Sequence, residues 1–191
     1  RFRKILVAKI NNLIVVELQD WDHDALMCCL TKYFCMIRPT TPDDTAALLA
    51  LAKAVLDFSP DELEELKVSL ADYFSGGKAH FWLTDDEGGP VGAAYCAPER
   101  MTQGTWNLLF IAIHPDRQGQ GRGSAMVRHV EKLLIEQGAH LLLVETLASF
   151  EHTRTFYRKC GYEEEARIRD FYEVGADKIV YRKVLATAIK A

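Results

Sequence analysis

Gln118-Gly119-Gln120-Gly121-Arg122-Gly123-Ser124 is the stretch with the clearest chemistry. It alternates glycine with polar residues, between an apolar run ending at Ile113 and an amphipathic run beginning at Ser124. Glycine lets backbone N–H groups converge on a ligand. A helix N-terminus adds unpaired N–H groups and about half a positive charge. Together they make a pyrophosphate cradle. A P-loop would need Gly-x-x-x-x-Gly-Lys followed by Ser or Thr, and no lysine stands here. A dinucleotide loop opens Gly-x-Gly-x-x-Gly directly after its strand. Gly119-Gln120-Gly121 matches it in part, and Glu145 could pass for the ribose acid, but Ser124 replaces the third glycine and His114 to Gln118 intervene. A dinucleotide-binding enzyme is therefore the weaker alternative.

The elements around the loop follow from periodicity. Cys35 to Arg38 reads as a short strand. Thr41-Pro42-Asp43-Asp44 opens a helix, with Thr as N-cap, Pro at the first position and acids in the positive first turn. Leu48, Leu49, Ala52, Val55 and Leu56 form its apolar stripe. Ser59-Pro60-Asp61-Glu62 opens a second helix, which buries Leu63, Leu66, Leu70, Tyr73 and Phe74. Ala79 to Thr84 and Pro90 to Ala97 make a hairpin across Asp85-Asp86-Glu87-Gly88-Gly89. Trp106 to Ile113 is apolar enough to be a strand buried on both faces. Ser124 to Gln137 is a helix, His140 to Thr146 a strand, and Phe150 to Cys160 a short helix. Glu164 to Tyr172 and Lys178 to Val184 close the chain as a strand pair. The expected order is β-α-α-β-β-β-α-β-α-β-β. This is an α+β chain with a mixed, mostly antiparallel sheet flanked by helices, and one parallel crossover from Trp106 to Thr146.

Ile111-Ala112-Ile113-His114-Pro115 followed by Gln118-x-x-Gly121-x-Gly123 resembles motif A of the GNAT superfamily of N-acetyltransferases. Phe156-Tyr157-x-Lys159-x-Gly161-Tyr162 resembles that family's later motif, at the family's spacing. The resemblance covers about residues 35–185. It implies transfer of an acetyl group from acetyl-CoA, the acyl donor, to a primary amine by direct attack on the thioester, with no metal. By that resemblance, Gln118, Gly119, Gln120, Gly121, Arg122, Gly123 and Ser124 hold the CoA pyrophosphate through backbone N–H groups. Ile111, Ala112 and Ile113 pair with the pantetheine arm as a sheet edge pairs with an added strand. Tyr157 is the matched donor to the leaving thiolate. Glu145, at the end of its strand, is the first candidate base and Asp170 the second. Asn107 stands where many relatives keep Glu, which leaves a CoA-binding module without turnover as an alternative. Asp170-Phe171-Tyr172 with Asp177-Lys178 could form a substrate lip, but is expected to be a solvated hairpin.

Bulk properties bound the rest. The 191 residues suit one domain, 35–191, with 1–34 as an appendage of unknown role. In that appendage Lys4 to Ile10 and Leu13 to Leu18 form a candidate hairpin, and Asp20-Trp21-Asp22-His23-Asp24 reads as a polar loop. The net charge of −4 argues against nucleic acid as a partner. No apolar run is long enough to span a bilayer. The start superficially resembles a signal peptide, but its apolar run is broken by Lys9 and no cleavage site follows, so none is expected; the absent initiating Met suggests a processed, truncated or renumbered chain. The five cysteines lack C-x-x-C spacing, which predicts reduced thiols, no metal site and a cytoplasmic setting. The partner is an amine, on a small molecule or a protein. A homodimer is the commonest closed assembly for such a chain.

Overall fold

The computed structural model describes residues 36–56, 60–76 and 80–185. The hairpin and polar loop expected before Cys35 lie outside the described residues. Strand β1 (Met36–Pro39) leads through a 3-10 turn, Pro42–Asp44, into helix α1 (Thr45–Leu56) and helix α2 (Pro60–Phe74). Then come β2 (Phe81–Asp86), β3 (Pro90–Pro98), β4 (Thr105–Ile113), α3 (Arg122–Glu136), β5 (Leu141–Leu147), α4 (Glu151–Lys159), β6 (Glu163–Glu173) and β7 (Ala176–Val184). The order is the one expected from the sequence, with boundaries shifted by a residue or two.

The strands form one sheet in the order β1-β2-β3-β4-β5-β7-β6. Every neighbouring pair is antiparallel except β4 with β5, the predicted crossover. Neighbouring residues on a strand point to opposite faces. On β3, Tyr95 stacks on Trp82 and meets His80, which touches Tyr73 of α2. Cys96, next along, faces the opposite way, toward Tyr157 of α4. Helices α1 and α2 therefore cover one face, and α3 and α4 the other.

The core holds Leu48, Leu51 and Ala52 of α1 and Leu66 and Leu70 of α2, with Leu63, Tyr73 and Phe74 half-buried at its margin. Leu51 belongs to this core although it was absent from the predicted stripe, because α1 is wedged against both α2 and the sheet. From α3 come Met126, Val127, Val130 and Leu134. The outermost strand, β6, is exposed from Glu163 to Asp170. Its charged residues (Glu163, Glu164, Glu165, Arg167, Arg169 and Asp170) protect an edge that would otherwise pair with other chains.

Candidate active site

Strands β4 and β5 hydrogen-bond only from Thr105↔Leu141 to Leu108↔Val144. Beyond that rung β4 stays with β3 as far as Ile113↔Gly92. β5 stays with β7 as far as Leu147↔Lys178. The two strands part at Leu109 and Glu145. A register shift against β3 leaves Leu109 without a partner in the pairing. Such a bulge adds local twist, which drives the strands apart. On the β5 side, the backbone of Ile111, Ala112 and Ile113 faces no strand neighbour among the described residues, while their side chains stay buried.

The glycine loop lies just past this parting. Pro115–Arg117 is a 3-10 turn, and His114 caps it by accepting from the Asp116 N–H at 3.3 Å. Gln118 Nε2 donates to the Ile113 carbonyl at 2.9 Å, folding the loop back over the end of β4. Gly119 and Gly121 have φ of 71° and 73°, the left-handed conformation that only glycine adopts cheaply. A Cβ at either would meet nothing within 4 Å, so the loop borders open space. Gly121 is the N-cap of α3 and offers no capping side chain. The first-turn N–H groups therefore remain available to an anion. These donors and this space make the loop a candidate site for an anionic group.

Two side chains of the loop point elsewhere. Arg122 is turned inward, donating from Nη1 to both oxygens of Asp85 at 2.9 and 2.8 Å. The Ser124 hydroxyl reaches the sulfur of Cys160 and ties α3 to the end of α4. Only their backbone N–H groups fit the cradle role.

Tyr157 is completely buried, ringed by Phe156, Tyr162 and Tyr181 at centroid distances of 5.3, 5.5 and 5.9 Å. Its hydroxyl has no hydrogen-bond partner among the described residues. Burial, with smaller effects from Cys160 and Cys96, pushes its pKa well above that of a free tyrosine. Cys96 lies opposite Leu108, the last β4 residue paired with β5.

Glu145 is the first β5 residue past the parting and is 7% exposed. Lys178 Nζ lies 3.2 Å from its carboxylate and 3.7 Å from the centre of the Phe171 ring. Arg154, a sequence neighbour that could have paired with Glu145, turns instead to Glu151 and Glu164. Tyr172 is also buried, with no partner for its hydroxyl among the described residues, and burial and the Glu145 charge hold its proton on. The expectation of a solvated hairpin is therefore corrected for Tyr172 and Lys178. Both fold inward: Lys178 lies on β7, which runs along β5, and Tyr172 lies near the end of β6.

Asp170, the second candidate base, builds the hairpin instead. It has φ of 51°, accepts from the Gly175 N–H at 2.7 Å and donates its own N–H to Asp177 at 2.9 Å. Asn107 is 2% exposed, and neither amide atom has a partner among the described residues. It pairs with Leu143, two positions along β5 from Glu145. Sequence reading did not mark Asp85 or Lys178 as buried charges, because each sits in a charged, turn-like stretch. Nothing in such a stretch marks which charge is buried. No group of three or more His, Cys, Asp or Glu side chains among the described residues could hold a metal ion. No described helix is long and apolar enough to cross a membrane.

Residues 77–164 match the sequence model of the acetyltransferase (GNAT) domain. The chain is 30% identical over 138 residues to the aminoglycoside N(6')-acetyltransferase type 1 of Stenotrophomonas maltophilia, covering 69% of this chain and 88% of that protein. A crystal structure of a GNAT-family protein from Desulfovibrio desulfuricans superposes with a TM-score of 0.74 at 29% identity, over 79% of this chain and 99% of that one. An aminoglycoside 6'-N-acetyltransferase solved with coenzyme A shares the fold, with a TM-score of 0.68 at 16% identity, over 79% and 97% of the two chains.

Proposed function

The chain belongs to the GNAT family and is an acetyl-CoA-dependent N-acetyltransferase, and from that premise we propose that it acetylates a primary amine by direct attack on the thioester. The observation that carries the proposal is the parting of β4 from β5 beside the cradle at the α3 N-terminus. Bound acetyl-CoA supplies the thioester. The backbone of Gln118–Ser124 grips its pyrophosphate, and the Ile111–Ile113 edge takes the pantetheine arm. The catalytic unit spans 35–191.

At the parting, a neutral amine attacks the thioester carbon. The C–N bond forms, the C–S bond breaks, and the electron pair leaves with sulfur. Glu145 takes the proton from nitrogen, and Lys178, 3.2 Å away, holds the carboxylate in place beforehand. Tyr157 donates a hydrogen bond to the departing thiolate. Free tyrosine and a cysteine-like thiol differ by roughly 1.5 pKa units, about 2 kcal/mol against full proton transfer. Burial widens that gap. Tyr157 therefore works as a neutral hydrogen-bond donor and keeps its proton.

The relative from Stenotrophomonas makes an aminoglycoside amine the first acceptor to try. The test is CoA release from acetyl-CoA with an aminoglycoside, a polyamine and an alanyl peptide in parallel. Turnover with the aminoglycoside supports the proposal. Turnover with the peptide alone moves the acceptor to protein. CoA binding without turnover on any amine favours the non-catalytic module.

A further inference from the structure

The flanks of the cradle are tied to one place. Arg117 precedes it and Arg122 follows it. Both guanidiniums contact the same oxygen of Glu87, Arg117 Nε at 2.6 Å and Arg122 Nη2 at 2.8 Å. Arg122 also grips Asp85 through Nη1. Asp85 lies within the last rungs of β2, and Glu87 begins the β2–β3 turn, where its N–H donates to Gly89 at 2.9 Å. Gln118 closes the loop from within, on Ile113.

A buried arginine at the start of α3 runs against simple electrostatics. The helix N-terminus is already partly positive, so a cation there is disfavoured. The side chain is 2% exposed, and burying an unpaired charge is costly. It is held there by Asp85, which is 0% exposed, and by Glu87. Two arginines face two carboxylates, so the cluster adds no net charge beside the phosphate site. Its contribution to donor binding must then be geometric.

We infer that Asp85 and Glu87 are positioning residues for the donor, clamping both ends of the Gln118–Gly121 segment in the shape that reads a pyrophosphate, while neither touches it. The inference rests on the cradle assigned above. It differs from a direct role for Arg122, whose guanidinium is committed to the hairpin.

The test compares two acyl donors, acetyl-CoA and S-acetyl-pantetheine, which lacks the pyrophosphate. Glu87→Gln and Asp85→Asn should each raise KM for acetyl-CoA about 10-fold, a loss of about 1.4 kcal/mol of binding. Neither KM for S-acetyl-pantetheine nor kcat should move. Glu87 is partly exposed, so Glu87→Gln should fold normally. Asp85→Leu combined with Arg122→Met removes both buried charges together, which a fold tolerates better than removing one. That variant should keep the wild-type unfolding midpoint and lose the preference for acetyl-CoA. Equal losses on both donors would make the cluster merely structural and overturn the inference. An unchanged or lowered KM for acetyl-CoA in Asp85→Asn would overturn it too, the second by showing that Arg122 binds phosphate once released. A wild-type protein that uses both donors equally well would instead sink the cradle itself.

Discussion

Glu145 and Lys178 form an ion pair of 3.2 Å in which each side chain is 8% exposed, reaching diagonally between β5 and β7 just past the point where β5 leaves β4. A pair this well buried is not a surface ornament. Breaking it from one side leaves a stranded charge, whereas removing both sides is often tolerated.

Glu145→Gln should lower kcat/KM by about 10²-fold and destabilise the fold by about 3 kcal/mol, because Lys178 is left unpaired. Adding Lys178→Met should restore the stability and leave activity low. Urea unfolding and steady-state rates on the two variants separate the effects. Recovery of activity along with stability would strip Glu145 of its role as base.

Tyr157→Phe removes a buried hydroxyl that has no partner among the described residues. The fold should be as stable as before or more so, because no hydrogen bond is lost. kcat should fall by about 10²-fold if the hydroxyl stabilises the thiolate. An unchanged kcat with an unchanged unfolding midpoint would reduce Tyr157 to a packing residue.

Gly121→Ala tests the cradle directly. Nothing crowds a methyl there, so the penalty comes from the backbone at φ of 73°, about 1–2 kcal/mol. Calorimetric titration with CoA should show weakened binding, and the far-ultraviolet spectrum should stay unchanged. Wild-type affinity would mean that the loop does not contact the donor.

Acid should weaken the fold at Asp44. Arg38 bonds both of its carboxylate oxygens, at 2.7 and 2.9 Å, and holds its pKa at about 2 against an ordinary 3.8, with help from Thr41. A depressed carboxylate stabilises the folded state above its unfolded pKa and loses that stability as the pH falls toward its folded one. The contribution, about 2 kcal/mol, is full at neutral pH and disappears between about pH 4 and pH 2. Asp44→Asn should be less stable at pH 7 and show a flatter stability profile across that window, measured by urea midpoints.

The sheet and its helices were legible because their signals are local. Apolar periodicity, Pro and Gly at element ends, and the glycine loop all act over a few residues, and the loop's φ values follow from its glycines. The Thr41-Pro42-Asp43-Asp44 start was readable for the same reason, although its first turn is 3-10. Partnerships across the fold were not legible. Arg122 looked like a loop cation, yet its partner Asp85 lies 37 residues earlier, inside an acidic turn. Lys178 looked like a hairpin charge until β7 set it against β5. Burial of one charge among several depends on which strands become neighbours, and the spacing of residues along the chain does not encode that.

Surface turns between hairpin strands usually accept added or deleted residues without harm. The β2–β3 turn should be an exception. Glu87 in the turn and Asp85 just before it, on β2, grip Arg117 and Arg122 from fixed positions, so a change in the turn's length would be felt at the opposite end of the linkage, in donor recognition. Natural variation in this turn is thus expected to be confined to residue type, with its length held constant wherever both arginines are present.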